Sequence, residues 1–233
     1  MEEFQRLTLM LPRYWLSHFL LARVYVETFN PERSIQPFGE AIRLNPEFST
    51  LYDYRATAYE TLGGYELSLK DYDSIIESKP THSALTQRAI ALYALGRLEE
   101  TVTAFQDAIT LLQVRIGRAT SDEEVIRFNA YLSLAHNNRG RVLQEVGQIE
   151  KTLEDYTEAI RLNPQLSEAF YNRATAFAVL GKIIEAKQRP RLGRDLRIRW
   201  IQPVSREIEV VLRTFPLMPV VRSGGFSPTD ACI

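Results

Sequence analysis

The chain has 233 residues and a formal charge of −1, with 45% hydrophobic and 24% charged residues. These are ordinary values for a soluble folded protein, enough for one domain or for a short repeat array with a tail. No apolar run approaches the roughly 18–20 residues of a membrane span, and the acidic start of MEEFQRLTLMLP does not read as a secretory signal.

The single cysteine, Cys232, excludes an internal disulfide and a cysteine-rich metal site, and it favours a cytoplasmic or nuclear setting. What organises the chain is a period. Pro12, Pro46 and Pro80 recur every 34 residues. Gly63 and Gly96 stand 33 apart, and Gly147 and Gly181 stand 34 apart. The interval from Gly96 to Gly147 is 51, one period plus an insert of 17.

Residues 1–14 open the chain. Glu3-Phe4 and Pro12 fall in phase with Asp155-Tyr156 and Pro164, so this stretch is predicted to be the second helix of an incomplete repeat. Leu7, Leu9, Met10 and Leu11 are unusually apolar for an outer face. An end of this kind exposes apolar surface, which would allow end-to-end self-association of two chains.

Full copies follow near 15–48, 49–81, 82–113 and 133–166, each predicting two helices, and a last copy near 167–188 starts well and then stops, with Pro190 where an aromatic is expected. The first helix carries a large residue, an Arg or other residue before a small one, and then a second large residue. These are Tyr52, Arg55-Ala56 and Tyr59; Leu85, Arg88-Ala89 and Leu92; His136, Arg139-Gly140 and Leu143; Phe170, Arg173-Ala174 and Phe177. The second helix carries Ser68, Tyr72 and Ile75, then Thr101, Phe105 and Ala108, then Thr152, Tyr156 and Ala159. The earliest copy has Ala22, Tyr25, Ser34, Phe38 and Ala41. Spacings of 3, 4 and 7 put the large residues on one helix face. The small residue admits the partner helix, and the ring fills the space between them, at about 1.5–3 kcal/mol for full burial. Glycines at 63, 96, 147 and 181 end first helices, and prolines at 46, 80 and 164 end second helices. Asn30-Pro31 reads as an N-cap followed by Pro at the first helical position.

The third copy has Gln113 where a proline is expected, so its second helix is predicted to run on through Gln113–Arg118. Ser121 to Glu124 is a capping-box start for a long helix from about Asp122 to Val146. The insert, 114–132, is thus expected to be an extended helical hairpin. From Arg189 the composition changes: arginines recur to Arg222 without a lysine, among five prolines. Residues 189–233 form an Arg/Pro-rich tail expected to be poorly ordered. Trp200 among the arginines is a weak stacking signal, so nucleic-acid association through this tail is kept only as a less favoured alternative.

The period and the strings EAIRLNP at Glu40–Pro46 and Glu158–Pro164 resemble the tetratricopeptide repeat (TPR) family, over residues 15–188. The resemblance implies an all-α right-handed superhelical solenoid of antiparallel helix pairs, here with an irregular C-terminal tail. It also implies that first helices line a concave groove that holds a protein or peptide ligand. The groove candidates are Asp53, Tyr54, Thr57 and Thr61; Thr86, Gln87 and Ile90; Asn137, Asn138, Arg141 and Glu145; Tyr171, Asn172 and Thr175. Asn138 and Asn172 rank first, because amides in successive repeats can grip a peptide backbone.

In family members that clamp chaperone C-termini, Lys, Asn and Arg at set places capture a terminal carboxylate. Asn138 and Asn172 match the Asn places, but Leu134 stands where the first Lys should be, so a chaperone clamp is disfavoured. No catalytic constellation, cofactor site or metal site is read. His18, His82 and His136 are scattered, Gly63-Gly64 is a helix stop, and the Glu99-Glu100 and Glu123-Glu124 pairs complement helix dipoles. The expectation is a non-enzymatic interaction scaffold, or alternatively a regulatory or targeting fragment of a longer protein.

Overall fold

The computed structural model describes residues 2–188. The arginine-rich tail, 189–233, lies outside the described residues. The chain divides into two compact units, Met1–Arg173 and Ala174–Ile233.

Among the described residues there are ten α-helices and no strand. They are α1 (Glu2–Met10), α2 (Trp15–Glu27), α3 (Pro31–Leu44), α4 (Thr50–Thr61), α5 (Tyr65–Ser78), α6 (His82–Ala94), α7 (Leu98–Gly117), α8 (Asp122–Glu145), α9 (Ile149–Leu162) and α10 (Ser167–Gln188). Within the first unit each helix packs on the next in sequence, from α1 to α9. The chain is an all-α array of TPR-like helix pairs. The second unit begins inside α10, where Ala176 is buried, and α10 runs on through Gly181 to Gln188, so the helix end expected at Gly181 is corrected. Among the described residues no helix is long and apolar enough to cross a membrane.

The turns inside each pair share one geometry. Gly63, Gly96 and Gly147 have φ of 74°, 72° and 78°. The following N–H reaches back over the turn: Gly64 N–H donates to Tyr59 O at 2.8 Å, Arg97 to Leu92 O at 3.0 Å and Gln148 to Leu143 O at 2.8 Å. This is the Schellman ending, and its left-handed residue favours glycine because no Cβ clashes there. The first copy makes the same turn without glycine. Phe29 holds φ 57°, and Asn30 N–H donates to Tyr25 O at 2.8 Å. Pro31 is the first helical residue of α3, but Asn30 does not cap it with its side chain. The Asn30 carboxamide turns back and donates to the Thr28 carbonyl at 2.6 Å, so the expected cap is corrected on that point.

Ser121 does cap α8, its Oγ accepting from Glu124 N–H at 3.3 Å. The Glu124 carboxylate reaches one residue further back than a capping box requires, to the Thr120 N–H at 3.0 Å. With no proline at position 113, α7 runs for 20 residues and α8 for 24. Their added turns bury Leu112 and Leu132 against each other's neighbours, with Ile116 and Phe128 beside them.

Between the helices of each pair a ring meets a small residue. Phe38, Tyr72 and Tyr156 are wholly buried, as are Ala22, Ala56 and Ala89. Gly140 takes the small place beside Tyr156, and a Cβ built on it would lie 2.8 Å from the ring. Two pairs are also tied by buried ions. Arg55 donates to both carboxylate oxygens of Asp71, at 2.9 and 2.6 Å. Arg139 does the same to Asp155 at 2.8 and 2.6 Å, and His136 Nδ1 lies 2.8 Å from Asp155. Burial pushes Asp71 up and its single partner does not offset that. Burial also pushes Asp155 up, but the hydrogen bonds from Arg139 and His136 together outweigh it and hold the carboxyl below its ordinary value. The first copy dispenses with both ions: Leu21 and Pro37 stand at those places, both buried.

Candidate functional site

First helices stand side by side in the first unit. Phe19 of α2 meets Tyr54 of α4 edge-on, with ring centroids 5.3 Å apart. Ser49 just before α4, with Thr50 and Asp53 on it, shares a recess of about 160 Å³ with Ile75 of α5 and with Thr81, Ser83 and Ala84 at the start of α6. Tyr93 of α6 donates to Glu145 of α8 at 2.5 Å. The Asn172 amide of α10 donates to Asn137 Oδ1 of α8 at 3.0 Å, and Arg141 lies 3.8 Å from Glu168. One wall therefore runs along α2, α4, α6, α8 and the start of α10, as helices held in register by such bridges must form.

This wall carries apolar side chains that water still reaches: Ile90 and Tyr93 on α6, Leu134 on α8 and Tyr171 on α10 are exposed. Between them stand polar groups. Asp53, Thr57, Gln87, Asn138, Arg141 and Asn172 are half-buried, as are Tyr54 and Thr86, and Thr61 and Glu145 are exposed. Thr175, also half-buried, belongs to the continuation of α10 in the second unit.

The structure sorts the predicted residues. Tyr54 is taken up by an aromatic cluster: its ring lies 6.0 Å from Phe38, stacked, and the Arg23 guanidinium sits 5.7 Å from its centroid. Asn137 is wholly buried, and its carbonyl oxygen is spent on Asn172. Asn137, not Asn138, thus forms the amide bridge between successive first helices. Thr57 Oγ1 donates to the backbone oxygen of Asp53 at 3.0 Å, one turn back.

Two groups were not among the predicted site residues: Glu60 on this wall and, behind it on α5, Tyr72. Glu60 lies seven residues after Asp53, two turns on along the same face of α4. Its carboxyl meets the Tyr72 hydroxyl of α5. Burial raises the Glu60 carboxyl to about 7, against the lowering effect of the nearby Tyr72 hydroxyl and with a further rise from the Asp53 charge. Even so, Glu60 Oε1 and Tyr72 Oη are buried without reaching hydrogen-bond geometry to any partner among the described residues. Asp53 too is raised, by burial. The signal that could have found Glu60 is its spacing from Asp53. Tyr72 reads in sequence only as a packing ring.

Tetratricopeptide repeat models match residues 133–166 and 55–115. Among curated proteins, the Hsp70-Hsp90 organizing protein of Triticum aestivum is 25% identical over 66% of this chain and 30% of its own length. Tetratricopeptide repeat protein 6 of Homo sapiens is 26% identical over 62% of this chain and 25% of its own. The chain thus spans less than a third of these relatives. Among solved structures, MamA superposes with a TM-score of 0.61 at 14% identity, covering 88% of this chain and 97% of that one. YrrB, described as a TPR protein with an unusual peptide-binding site, gives 0.56 at 16%, covering 76% and 84%. At these identities the structural matches establish the fold alone.

Proposed function

The chain belongs to the tetratricopeptide repeat family, and from that premise we propose that it is a non-enzymatic scaffold that holds a peptide or protein segment along the wall of first helices. Repeats of this family serve protein–protein interaction, and the wall is where this chain offers a surface for it. The observation that carries the reading is the composition of that wall. Water-exposed Ile90, Tyr93, Leu134 and Tyr171 alternate with half-buried amides and charges. Apolar anchors set among polar groups of fixed position are what an extended or helical segment needs for affinity and register.

The chaperones named in the Triticum aestivum relative are not the partner we propose. A carboxylate clamp needs cations at fixed places on the first helices. Here Leu134 is exposed at one of them, and α4 offers Asp53 and Glu60 on its wall face.

The test is an affinity capture from lysate in physiological salt with the full chain, beside a variant carrying Ile90→Glu and Tyr171→Glu. Both substitutions sit on exposed side chains and should leave helicity intact. Stoichiometric protein partners of the wild type that the variant loses would support the wall as the working surface. Equal recovery of the same partners by a well-folded variant would remove it.

A further inference from the structure

Among the described residues the acidic stretch of the wall has no cation paired to it. Arg55, on the same helix, is committed to Asp71 at 2.6 and 2.9 Å and lies against Tyr52 and Tyr59 on the opposite side. Arg23 on α2 pairs with Glu27 at 2.9 Å. Asp53 and Glu60 enter no ion pair among the described residues.

The equivalent place in a later copy shows what a self-sufficient arrangement looks like. There the Tyr156 hydroxyl donates to Gln144 Oε1 at 3.2 Å. Gln144 precedes its tyrosine by the same twelve residues that separate Glu60 from Tyr72. A neutral amide closes that network within the chain. In the α4–α5 copy a carboxyl replaces the amide and a second carboxyl, Asp53, stands on the same face. The Tyr72 hydroxyl, wholly enclosed, faces the Glu60 carboxyl without reaching hydrogen-bond geometry to it. A buried hydroxyl and carboxylate oxygen without partners each cost free energy, and two like charges on one face add to it. That arrangement is stabilised by an arriving donor of positive charge.

Resting on the groove reading above, we propose that Asp53 and Glu60, backed by Tyr72, form a subsite for a lysine or arginine side chain of the bound segment. The incoming ammonium or guanidinium pairs with the half-buried Glu60 carboxylate and with Asp53. Thr57, between them on the helix, has its hydroxyl proton committed to the Asp53 carbonyl and lends oxygen lone pairs only. The recess beside Asp53, walled by Ser49, Thr50, Thr81 and Ser83, gives the ligand backbone or a second polar group further hydroxyl partners. Charge sets the class of ligand: a segment with a basic residue at this repeat and apolar residues toward Ile90, Tyr93 and Leu134.

The test uses the full chain and a phage-displayed library of random dodecapeptides, followed by affinities of the selected synthetic peptides. Wild-type protein is expected to select peptides with Lys or Arg at one fixed place before apolar residues. A variant with Asp53→Asn and Glu60→Gln should bind those peptides about tenfold more weakly or worse, and each peptide with its basic residue replaced by norleucine should lose as much on the wild type. The Gln substitution copies Gln144 of the later repeat, so the variant is expected to fold, and its thermal melt verifies this. Selected peptides without a basic residue, or equal binding by variant and wild type, overturn the cation subsite and leave the groove standing. Selection of no peptide at all by the wild type overturns both.

Discussion

At single positions the copies act as controls for one another. Phe29 occupies the left-handed turn position that glycine fills at 63, 96 and 147, and 94% of its surface is exposed. Its ring returns little burial for a conformation that costs a side chain roughly 1–2 kcal/mol. Phe29→Gly is therefore expected to stabilise the chain by about 1 kcal/mol, read as a raised urea midpoint; an unchanged or lowered midpoint would contradict it. Gly140 behaves in the opposite sense. A methyl there meets the enclosed Tyr156 ring at 2.8 Å and Asp155 Cβ at 3.3 Å. Overpacking of about 1–3 kcal/mol outweighs the ~1 kcal/mol of helix propensity that alanine adds, so Gly140→Ala should lower the midpoint. Glu60 gives a pH signature. Its folded carboxyl titrates at about 7, above its ordinary value of 4.5, raised first by burial and further by the Asp53 charge from its own helix, against the lowering effect of the Tyr72 and Ser68 hydroxyls from α5. The folded state thus binds the proton more tightly than the unfolded state. The stabilisation is complete below about 4.5 and is lost as pH rises through about 7. Glu60→Gln should flatten melting temperature against pH in that window and leave the variant more stable than wild type at pH 8. Parallel curves for the two proteins would show that Glu60 is not held in this way.

At the scale of an element, what was legible in the sequence is what repeats. The ring, the small residue and the terminal proline recur at one spacing because one geometry needs them, so helices α2 to α9 and their order follow from periodicity. The bonds that distinguish one copy from another do not repeat, and periodicity is silent on them. Asn30 bears the signature of a cap, yet its side chain prefers the Thr28 carbonyl. Asn137 looked like a groove residue beside Asn138, and a single step of 100° about the helix axis carries it inside. The Arg–Asp ties are partly legible. Arg55 with Asp71 and Arg139 with Asp155 share one spacing, and in the first copy Leu21 and Pro37 replace both ions. Arg88 has Ala104 at the carboxylate place and turns instead to Asp73 of α5 at 2.7 Å. This pattern yields a prediction. Asp71→Ala leaves the Arg55 guanidinium buried without its carboxylate and should cost about 3 kcal/mol. Arg55→Leu together with Asp71→Ala imitates the first copy and should cost less than the single change. Urea denaturation of the two variants decides it. A double mutant weaker than the single would mean that Arg55 contributes through Tyr52 and Tyr59, not through its ion pair.

At the scale of the whole molecule, the order of contacts matters more than their number. In the first unit each helix packs on its neighbours in sequence, and the wall of first helices adds bridges only to the next repeat. Such a chain has no single centre that all elements share, so its stability is close to a sum over copies and the interfaces between them. The groove inherits this property: a subsite on α4 and apolar anchors on α6 and α8 rest on different local cores. Damage to one core should accordingly stay local. Phe38 is wholly buried in the cluster of Phe19, Ala22, Leu51 and Ala58, well apart in sequence from the Leu132 and Leu112 cluster under the α7–α8 hairpin. Phe38→Ala should cost about 3–5 kcal/mol. Native-state hydrogen exchange followed by mass spectrometry should place that loss in peptides from α2, α3 and α4. Amides of α8 and α9 should keep most of their protection. Loss of protection spread evenly to α9 would show that the repeats open as one cooperative body, and a ligand at one end of the wall would then be felt at the other.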